Sequence, residues 1–376
     1  MNIVINALSA LRGGGKTYIK NLLQHIDNLD DDINILLISH QSNFSDFSDC
    51  QGNKVKVIKP IFPSRNIVFR VLWEFFYLPF LLKKLGSDSY YAPGGVMISL
   101  MPKGCKAYTA LRNMLPFDER ERRRFPLLSY SRFKLWILKY VYLISYRMSD
   151  GVIFISHHSR ELVSKFDNGI IDKSEVIYHG LSPSFLEKAN TASNLPGKPG
   201  SYYLYVSILD VYKAQKEIIS AWLEIIDKEF DYPLVLVGPK YNQYGDDVVK
   251  LIESSGSDKV RFYGPRNYEE LPALYQNSRA LIFGSSCECC PNILLEKLAS
   301  GKAVICSDIM PMPEFGQESV VYFNPYTSGS LKKAVKLLET EDNLRRYSTL
   351  AYERALDFDW LSTTKSTISF LCGKRS

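Results

Sequence analysis

The residues with the clearest chemical potential are two glutamates, Glu288 and Glu296, which flank the segment ECCPNILLE. An apolar run before them, ALIFGSS (280–286), predicts a short strand. Pro291 suits the first position of a helix, and Gly301 suits its end. Glu288 would then lie on the loop before this helix. Glu296 would lie about five residues inside it, roughly 7–8 Å deeper at ~1.5 Å per residue.

A loop and helix start of this kind could bind a phosphorylated ligand. The first amides of a helix have no partner within it and bind phosphate readily, and here they include those of Asn292 and Ile293. Glu296 could accept hydrogen bonds from a ribose attached to that phosphate, and Glu288 could contact a group beyond it, such as a sugar. The other interpretation is an amphipathic helix with two solvated glutamates. The order strand, loop, helix, glycine, strand favours the first.

This pattern, E-x7-E followed by a small-residue glycine turn and a Val-Ile strand, resembles the donor site of retaining glycosyltransferases of the GT-B fold, especially family 4. Those enzymes use a nucleotide-diphosphate sugar. The resemblance implies that Glu296 holds the ribose hydroxyls and that Glu288, as a catalytic residue, contacts the transferred sugar. It also implies that the amides between them, including those of Asn292 and Ile293, hold the diphosphate.

A glycine loop, RGGGKT (12–17), follows the first strand and opens a helix. Glycines allow the backbone to approach a ligand closely. In the resembling family a Gly-Gly in this loop lies against the donor diphosphate, which assigns that role to Gly14 and Gly15.

The same loop also resembles a P-loop, in which Lys16 would reach the phosphates and Thr17 would hold magnesium. The first glycine of that motif is replaced by Ala10, and no strand ends in an Asp suited to a second magnesium contact. A nucleoside triphosphatase would also leave the Glu288/Glu296 segment unexplained. It remains the alternative enzyme class.

The segment VSILDVYKAQ (206–215) follows the first strand of the second half of the chain. Relatives usually have Gly-Arg there and a Lys a few residues later, all at the diphosphate. This chain has Ser207 and Ile208 at the first two positions, and Lys213 remains. The resemblance therefore makes Ser207 a donor-binding residue and Lys213 the main catalytic cation. A lysine at a helix start is slightly unfavourable otherwise, which favours a functional interpretation.

Other cations could replace the missing arginine: Arg12, Lys16 or Arg266. Arg266 follows the strand VRFYG, where relatives place the nucleobase, so it is a candidate donor-binding residue.

Residues Arg112 and Asn113, in ALRNMLPFDERERRRF, occupy the position where many relatives carry a His-Asp that reaches the donor sugar. The position is expected to line the sugar or acceptor side of the site. A histidine role cannot be transferred to it.

No metal site and no cofactor are expected. The predicted diphosphate loops, 12–17, 207–213 and 289–293, contain one acid, Asp210, and no D-x-D, whereas magnesium prefers carboxylates. Cys287, Cys289 and Cys290 lack the paired C-x2-C spacing of structural zinc sites. Adjacent histidines at 157–158 point in different directions on a helix, and His179 is interpreted as structural. No nucleic-acid motif appears.

Strands and helices alternate along the chain, which predicts an α/β protein with parallel sheets. The turn-rich segment ANTASNLPGKPGS (189–201) predicts a linker, after which the alternation restarts. We expect two Rossmann-like domains that face each other across a cleft, the GT-B fold. The N-terminal, acceptor-side domain is predicted at 1–190 and the nucleotide-sugar domain at 191–357. The resemblance implies that the last helix, about 358–376, packs back on the first domain.

Composition is ordinary for a globular chain of 376 residues, with 46% hydrophobic and 23% charged residues. Seven cysteines and no visible signal peptide predict a reduced, cytoplasmic protein, and no clean membrane-spanning segment is apparent. Residues 51–150 hold 18 basic and 6 acidic side chains mixed with aromatics. That mixture predicts either a solvated helix face or contact with an anionic membrane surface.

These observations predict a retaining glycosyltransferase at the inner face of a membrane. It would move a sugar from a nucleotide-diphosphate sugar to a glycan or lipid-linked acceptor in surface polysaccharide biosynthesis. A P-loop-type triphosphatase and a non-catalytic sugar-nucleotide or glycan-binding subunit remain as alternatives. The second stays open because Ile208 replaces the usual arginine.

Overall fold

The computed structural model describes residues 1–11, 13–29, 32–189, 195–225 and 230–374. The chain divides into two compact units. Unit 1 contains Met1–Gly180 together with Asp359–Ser376, and unit 2 contains Leu181–Phe358. Part of the predicted linker, residues 190–194, lies outside the described residues.

Unit 1 is built on a parallel sheet, to which seven strands contribute in the described part of the chain. They are β1 (Asn2–Ala7), β2 (Asn34–Ser39), β3 (Val55–Ile58), β4 (Ser89–Ala92), β5 (Lys106–Leu111), β6 (Gly151–Phe154) and β7 (Ser174–Val176). Their order is β3-β2-β1-β4-β5-β6-β7. The central strands read as short apolar runs because helices cover a parallel sheet on both faces.

Helices connect these strands: α1 (Gly14–Gln24), α2 (Phe44–Ser48), α3 (Ile67–Leu72), α4 (Leu78–Lys84), α5 (Glu119–Arg123), α6 (Tyr130–Met148) and α7 (His157–Ser164). The apolar sequence at 66–86 predicts one long helix. A π-helical segment, Trp73–Tyr77, instead joins α3 to α4 and interrupts it. Asn66 caps α3, and Ser129 caps α6, each by accepting hydrogen bonds from backbone amides of the first turn.

Unit 2 has a second parallel sheet, with six strands in the residues that the structure describes. They are β8 (Tyr203–Val206), β9 (Leu234–Val237), β10 (Val260–Phe262), β11 (Ala280–Phe283), β12 (Val304–Ser307) and β13 (Val321–Phe323), in the order β10-β9-β8-β11-β12-β13. The helices are α8 (Gln215–Ile225), α9 (Gln243–Ser254), α10 (Leu271–Gln276), α11 (Asn292–Ala299), α12 (Met312–Gly316), α13 (Ser330–Leu338) and α14 (Glu341–Ala355).

The last helix, α15 (Trp360–Leu371), belongs to unit 1. Ser89 on β4 donates a hydrogen bond of 2.6 Å to the carbonyl of Leu371. Gly180 lies so close to the start of this helix that an added Cβ would be 2.3 Å from the backbone nitrogen of Trp360. The helix therefore packs directly on the sheet of unit 1.

Each sheet has a point where the strand order reverses. In unit 1 it lies between β1 and β4, and in unit 2 between β8 and β11. Open α/β sheets bind ligands at the carboxyl ends of the strands at this point. The paired residues of β8 and β11 are limited to Tyr203–Ala280 and Leu204–Leu281. Both strands continue beyond these pairs, so their carboxyl ends diverge and leave room between the loops that follow.

Candidate functional site

The segment between β11 and α11 lies at the reversal point of unit 2. Glu288 is on the loop, as predicted, and Glu296 is the fifth residue of α11. Pro291 is the N-cap residue, so α11 begins one residue later than predicted. The amide of Asn292 donates to the carbonyl of Cys290 at 2.9 Å. Of the two amides named from the sequence, only that of Ile293 can therefore point to a ligand without breaking this turn.

Glu288 and Lys213, the two predicted catalytic side chains, form an ion pair. Ser285 also donates a hydrogen bond of 2.7 Å to Glu288 Oε1. Lys213 is 4% exposed and Glu288 is 17% exposed in its side chain. The loops after β8 and β11 thus bring a lysine and a carboxylate together where the fold is expected to bind its ligand.

The turn that presents Lys213 has an unusual backbone. Lys213 ends a short turn, Val211–Lys213, and the next residue, Ala214, has φ 53° in the left-handed region. This conformation costs an alanine about 1–2 kcal/mol. Tyr205 stabilises the turn by donating a hydrogen bond to the carbonyl of Lys213. The strain therefore lies directly beside the predicted catalytic cation, a frequent property of functional sites.

Ser207, a predicted donor contact, is buried, and its hydroxyl accepts a hydrogen bond of 3.0 Å from Gln215 Nε2. Gln215 also donates to the carbonyl of Ile208 at 2.8 Å. Gly238, with φ +146°, packs against this loop so tightly that an added Cβ would lie 1.9 Å from the Ser207 carbonyl oxygen. The loop is therefore fixed by tertiary contacts that the sequence pattern did not indicate.

Three cations could replace the arginine that relatives carry at the position of Ile208. Arg12 lies outside the described residues. Lys16 pairs with Asp46 of unit 1 at 3.0 Å. Arg266 stacks on the ring of Tyr263 at 4.0 Å, and its buried Nε has no hydrogen-bond partner among the described residues. Arg266 thus has a buried N–H donor that no described residue uses.

Glu296, the predicted ribose contact, is buried with two tyrosines. Tyr268 donates a hydrogen bond to its Oε1 at 3.0 Å, and Tyr275 donates to its Oε2 at 3.4 Å. Burial raises the pKa of Glu296 to about 7, although both hydrogen bonds and the neighbouring Lys297 act in the opposite direction. The carboxyl group is therefore close to half-ionised at neutral pH.

Lys297, next to Glu296, was not identified from the sequence. It is completely buried, and its Nζ donates hydrogen bonds to the carbonyls of Ile282 (2.7 Å) and Val206 (3.2 Å). Its spacing three residues after Leu294 and next to Leu298 was the available signal, because it places a lysine on the apolar face of α11.

In unit 1, α1 begins at Gly14, so Gly14 and Gly15 form the first turn of the helix rather than a loop before it. Gly13, with φ 59°, makes the turn into the helix. The Gly15 Cα could carry a Cβ with its nearest contact at 4.0 Å, on Ala10. The backbone conformation therefore explains a glycine at position 13, whereas the space around Gly15 does not require one.

Arg112 follows β5 and lies in a cluster of aromatic side chains. Its guanidinium carbon is 3.2 Å from the centroid of the Tyr18 ring, and its terminal nitrogens lie 3.4 Å from His179 Nε2 and from the Tyr91 hydroxyl. In the described part of the chain Arg112 has no carboxylate partner, and its Nε has no hydrogen-bond partner. Asn113 accepts a hydrogen bond from the Leu115 amide at 3.2 Å.

Among the residues described, no group of three His, Cys, Asp or Glu side chains is arranged to hold a metal ion. In the same part of the chain, no helix combines the length and the apolar character needed to cross a membrane.

Unit 1 nevertheless exposes many large apolar side chains on α3, α4, α6 and the adjoining segments. Those at least 58% exposed are Ile61, Ile67, Val68, Phe76, Phe80, Leu100, Leu127, Leu128, Tyr130 and Phe133. Large contiguous apolar patches on soluble proteins often mark interaction sites.

Comparison with known families agrees with this fold. Residues 12–185 match the family model described as Glycosyltransferase Family 4, and residues 187–352 match the one described as Glycosyl transferases group 1. With its two parallel-sheet α/β units, the chain belongs to these glycosyltransferases of the GT-B fold.

Two curated relatives make surface polysaccharides according to their names. O-antigen chain mannosyltransferase B of Escherichia coli is 26% identical over 172 residues, 45% of either chain. O-antigen chain mannosyltransferase RfbU of Salmonella typhimurium is 24% identical over 236 residues, 60% of this chain and 64% of the relative. The chain thus matches about half to two thirds of the length of these relatives.

Solved structures match over nearly the whole chain. Anabaena HepE in complex with UDP and glucose has a TM-score of 0.71 at 16% identity and covers 99% of this chain and 100% of its own. WaaG, a glycosyltransferase involved in lipopolysaccharide biosynthesis, has a TM-score of 0.67 at 14% identity with the same coverage. These likenesses support the fold.

Proposed function

We propose that this protein is a retaining glycosyltransferase that moves a sugar from a nucleotide-diphosphate sugar to a glycan or lipid-linked acceptor in surface polysaccharide biosynthesis. The observation that carries the proposal is the Lys213–Glu288 pair at the reversal point of unit 2, beside the start of α11. The O-antigen mannosyltransferases among its relatives make mannose the first donor sugar to test.

The proposed chemistry is stabilisation of a departing diphosphate. Lys213 and the Ile293 amide would face the negative charge that develops as the bond to the sugar breaks. Glu288 would then stabilise the cationic sugar. Because Lys213 and Glu288 are paired in the structure, donor binding would require Lys213 to share its hydrogen bonds between Glu288 and the phosphates. We assign no nucleophile.

Glu296 would hold the ribose by accepting hydrogen bonds from its hydroxyls. Since Tyr268 and Tyr275 already donate to this carboxyl group, a ribose would replace or join the Tyr268 bond. Arg266, stacked on Tyr263, would contact the base, and Ser207 would contact the diphosphate. In unit 1 we assign Arg112 and Asn113 to the sugar or acceptor and Gly14 and Gly15 to the diphosphate.

The direct test is transfer from a panel that includes GDP-mannose and UDP-glucose, with the anomeric configuration of the product read by proton NMR. We expect transfer with retention. Inversion would contradict the mechanism. Tight donor binding without transfer to any glycan or lipid-linked acceptor would instead favour a non-catalytic binding subunit, and magnesium-dependent ATP hydrolysis would favour the P-loop alternative.

We further propose that transfer needs no divalent metal. In the described parts of the predicted diphosphate loops, 12–17, 207–213 and 289–293, the acid is Asp210, whose side chain accepts hydrogen bonds from the Val211 amide and from Asn242. Helix amides and Lys213 would neutralise the leaving group instead. Activity in excess EDTA should equal activity with magnesium. Loss in EDTA that magnesium restores would refute this.

The exposed apolar side chains of unit 1 support a second proposal, that the protein binds the cytoplasmic face of an anionic membrane. Basic residues such as Lys134 and Arg122 accompany these side chains. A surface that combines apolar contact with positive charge matches the interface of a membrane with anionic lipids.

A further inference from the structure

The proposed chemistry leaves Lys297 without a role, although it lies beside the candidate site. Its side chain has no exposed surface. Nζ donates one hydrogen bond to Ile282 on β11 and one to Val206 on β8. The rings of Tyr205 and Phe283 flank it, with centroids 5.0 and 5.1 Å from Nζ. The amine therefore lies between the carboxyl ends of the two central strands of unit 2.

This is the place where β8 and β11 diverge. Their pairing stops at Leu204–Leu281, whereas the two carbonyls that Lys297 binds lie further along each strand. A buried carbonyl that loses its donor is left without a hydrogen bond, which destabilises the folded protein. Lys297 provides a donor to one carbonyl of each diverging strand and so links them where the sheet no longer does.

The strands that Lys297 links lead directly into the loops of the candidate site. Val206 immediately precedes Ser207 and the turn that carries Lys213, and Ile282 is three residues before Ser285, which donates to Glu288. A change in the spacing of the two strand ends would therefore change the spacing of Lys213 and Glu288.

The link does not depend on the charge of Lys297. Burial lowers its pKa well below the ordinary value, and Lys213 lowers it further, while Cys306 on β12, Glu296 and Glu288 act in the opposite direction. A neutral amine still has two N–H groups, enough for both carbonyls.

Burying an amine costs several kcal/mol more than burying an apolar side chain of similar size, so packing alone would favour methionine or leucine here. We propose that Lys297 is a positioning residue of the donor site: it fixes the diverging ends of β8 and β11, and thereby the loops that carry Lys213 and Glu288. This inference rests on the proposed function, because the spacing of these loops matters only if a donor binds between them.

The test is a double-mutant cycle of Lys297→Met and Glu288→Gln. Donor turnover and KM are measured for all four proteins, together with the affinity for GDP and UDP by calorimetry. Lys297→Met should lower kcat at least tenfold in folded protein. Because Lys297 acts through the loops, its effect should be much smaller once Glu288 is changed. If the losses in kcat of the two single variants multiply to give that of the double variant within about twofold, the two residues act independently. That result would overturn the proposal.

Lys302→Met is the matched control. Lys302 lies just before β12, at the amino ends of the strands, whereas the candidate site lies at their carboxyl ends. It should leave kcat and nucleotide affinity unchanged. A Lys297→Met protein that melts at lower temperature but keeps wild-type kcat and affinity has lost only stability, which would also overturn the proposal. If Lys297→Met does not fold, Lys297→Leu, which also removes the N–H donors, replaces it under the same criteria.

The cycle separates this inference from the proposed function. If the wild-type protein binds GDP or UDP but transfers no sugar, the transferase proposal fails. The coupling between Lys297 and Glu288 is then calculated from the nucleotide affinities of the four proteins. Coupling of at least about twofold in affinity would still support the positioning role, and its absence would overturn it.

Discussion

At the scale of single residues, Glu296 links donor binding to pH. A carboxylate accepts hydrogen bonds from ribose hydroxyls better than a protonated acid, and the pKa of Glu296 is raised to about 7 by burial. We expect the affinity for a nucleotide-diphosphate sugar, whose two phosphates do not titrate near neutrality, to increase as pH rises through about 7. Tyr268, Tyr275 and Lys297 face the same carboxyl group. Calorimetry at pH values below and above about 7 should show this increase in affinity for the wild-type protein and not for Glu296→Gln.

The free energy of unfolding should decrease as pH rises, whereas the affinity for the nucleotide sugar should increase. A carboxyl group whose pKa is raised in the folded state favours folding while it is protonated. Its contribution is fully present below the ordinary value of 4.5 and is lost as pH rises through about 7. Glu296→Gln should therefore be more stable than wild type at pH 8 in denaturant melts. If the nucleotide-sugar affinity and the free energy of unfolding of the wild-type protein both stayed constant from pH 4.5 to above about 7, the raised pKa of Glu296 would be contradicted.

Lys213 gives a second prediction at this scale. Lys213→Ala removes the main cation proposed for the diphosphate and leaves Glu288 without its ion-pair partner. We expect kcat/KM to fall more than tenfold, a loss above about 1.4 kcal/mol in transition-state stabilisation. Lys216→Ala is the control, since Lys216 pairs with the exposed Asp247. A Lys213→Ala enzyme that keeps more than a tenth of wild-type kcat/KM would show that another cation, such as Arg266, dominates.

The sequence placed Glu288 on a loop, Glu296 within a helix and Lys213 at the start of a helix, because strand, glycine and helix-start signals are local. The first two placements are confirmed, whereas Lys213 ends a short turn just before α8. It could not show that Lys213 pairs with Glu288, since 75 residues separate them in the chain. The tyrosines on Glu296 come from α10 and the turn before it, and their role depends on packing. Lys297 was missed because a lysine in a helix is usually exposed.

At the scale of elements, Gly238 determines the position of the loop after β8. An added Cβ would lie 1.9 Å from the Ser207 carbonyl oxygen, and φ is +146°. Gly238→Ala should therefore destabilise the protein by more than about 1 kcal/mol and weaken nucleotide binding by displacing Ser207. Thermal melts with and without GDP and UDP measure both effects.

Gly169→Ala is the matched control for that substitution, because Gly169 has an ordinary φ and the nearest contact of its added Cβ is 3.4 Å away, on Asp167. Equal stability and nucleotide affinity in the two variants would mean that the loop after β8 adjusts freely, contrary to the packing seen here.

Element boundaries differed from the sequence where tertiary packing overrode local propensity. The helix expected after the glycine loop RGGGKT, from Thr17, begins inside that loop at Gly14. Glycine is a poor helix former, but Gly13 supplies the turn into the helix. The single helix predicted at 66–86 is interrupted by a π-helical segment, and a change in hydrogen-bond pattern leaves no composition signal. Fold class was predictable because short, mainly apolar strands alternate with helical segments along the chain.

At the scale of the whole molecule, the exposed apolar side chains of unit 1 predict salt-sensitive binding to anionic vesicles. Vesicles of phosphatidylglycerol and phosphatidylethanolamine should sediment the protein, and binding should fall when Phe76 and Leu128, 71% and 97% exposed, are replaced by serine. Leu356→Ser on unit 2, where Leu356 is 54% exposed, should have no effect.

The basic contribution to vesicle binding is best tested with Arg122→Gln and Lys134→Gln together. Arg124 is less suitable, because it pairs with the buried Glu121 at 3.1 Å, and its loss would remove a cation from a carboxylate that Arg120 also contacts at 3.3 Å. Binding that is indifferent to salt, to these charges and to the two serine substitutions would refute the membrane proposal.

The division of the chain has a consequence for how such proteins diversify. Unit 2 enters at Leu181 and leaves at Phe358, and the Leu181 amide donates a hydrogen bond of 2.9 Å to the Phe358 carbonyl. Its two ends therefore meet at a single point, so the unit is a continuous insertion within unit 1. Recombination at two sites in the gene could exchange it as one cassette. Because Lys213, Glu288, Glu296 and Lys297 all travel with that cassette, a new donor specificity could be acquired without altering the rest of the chain.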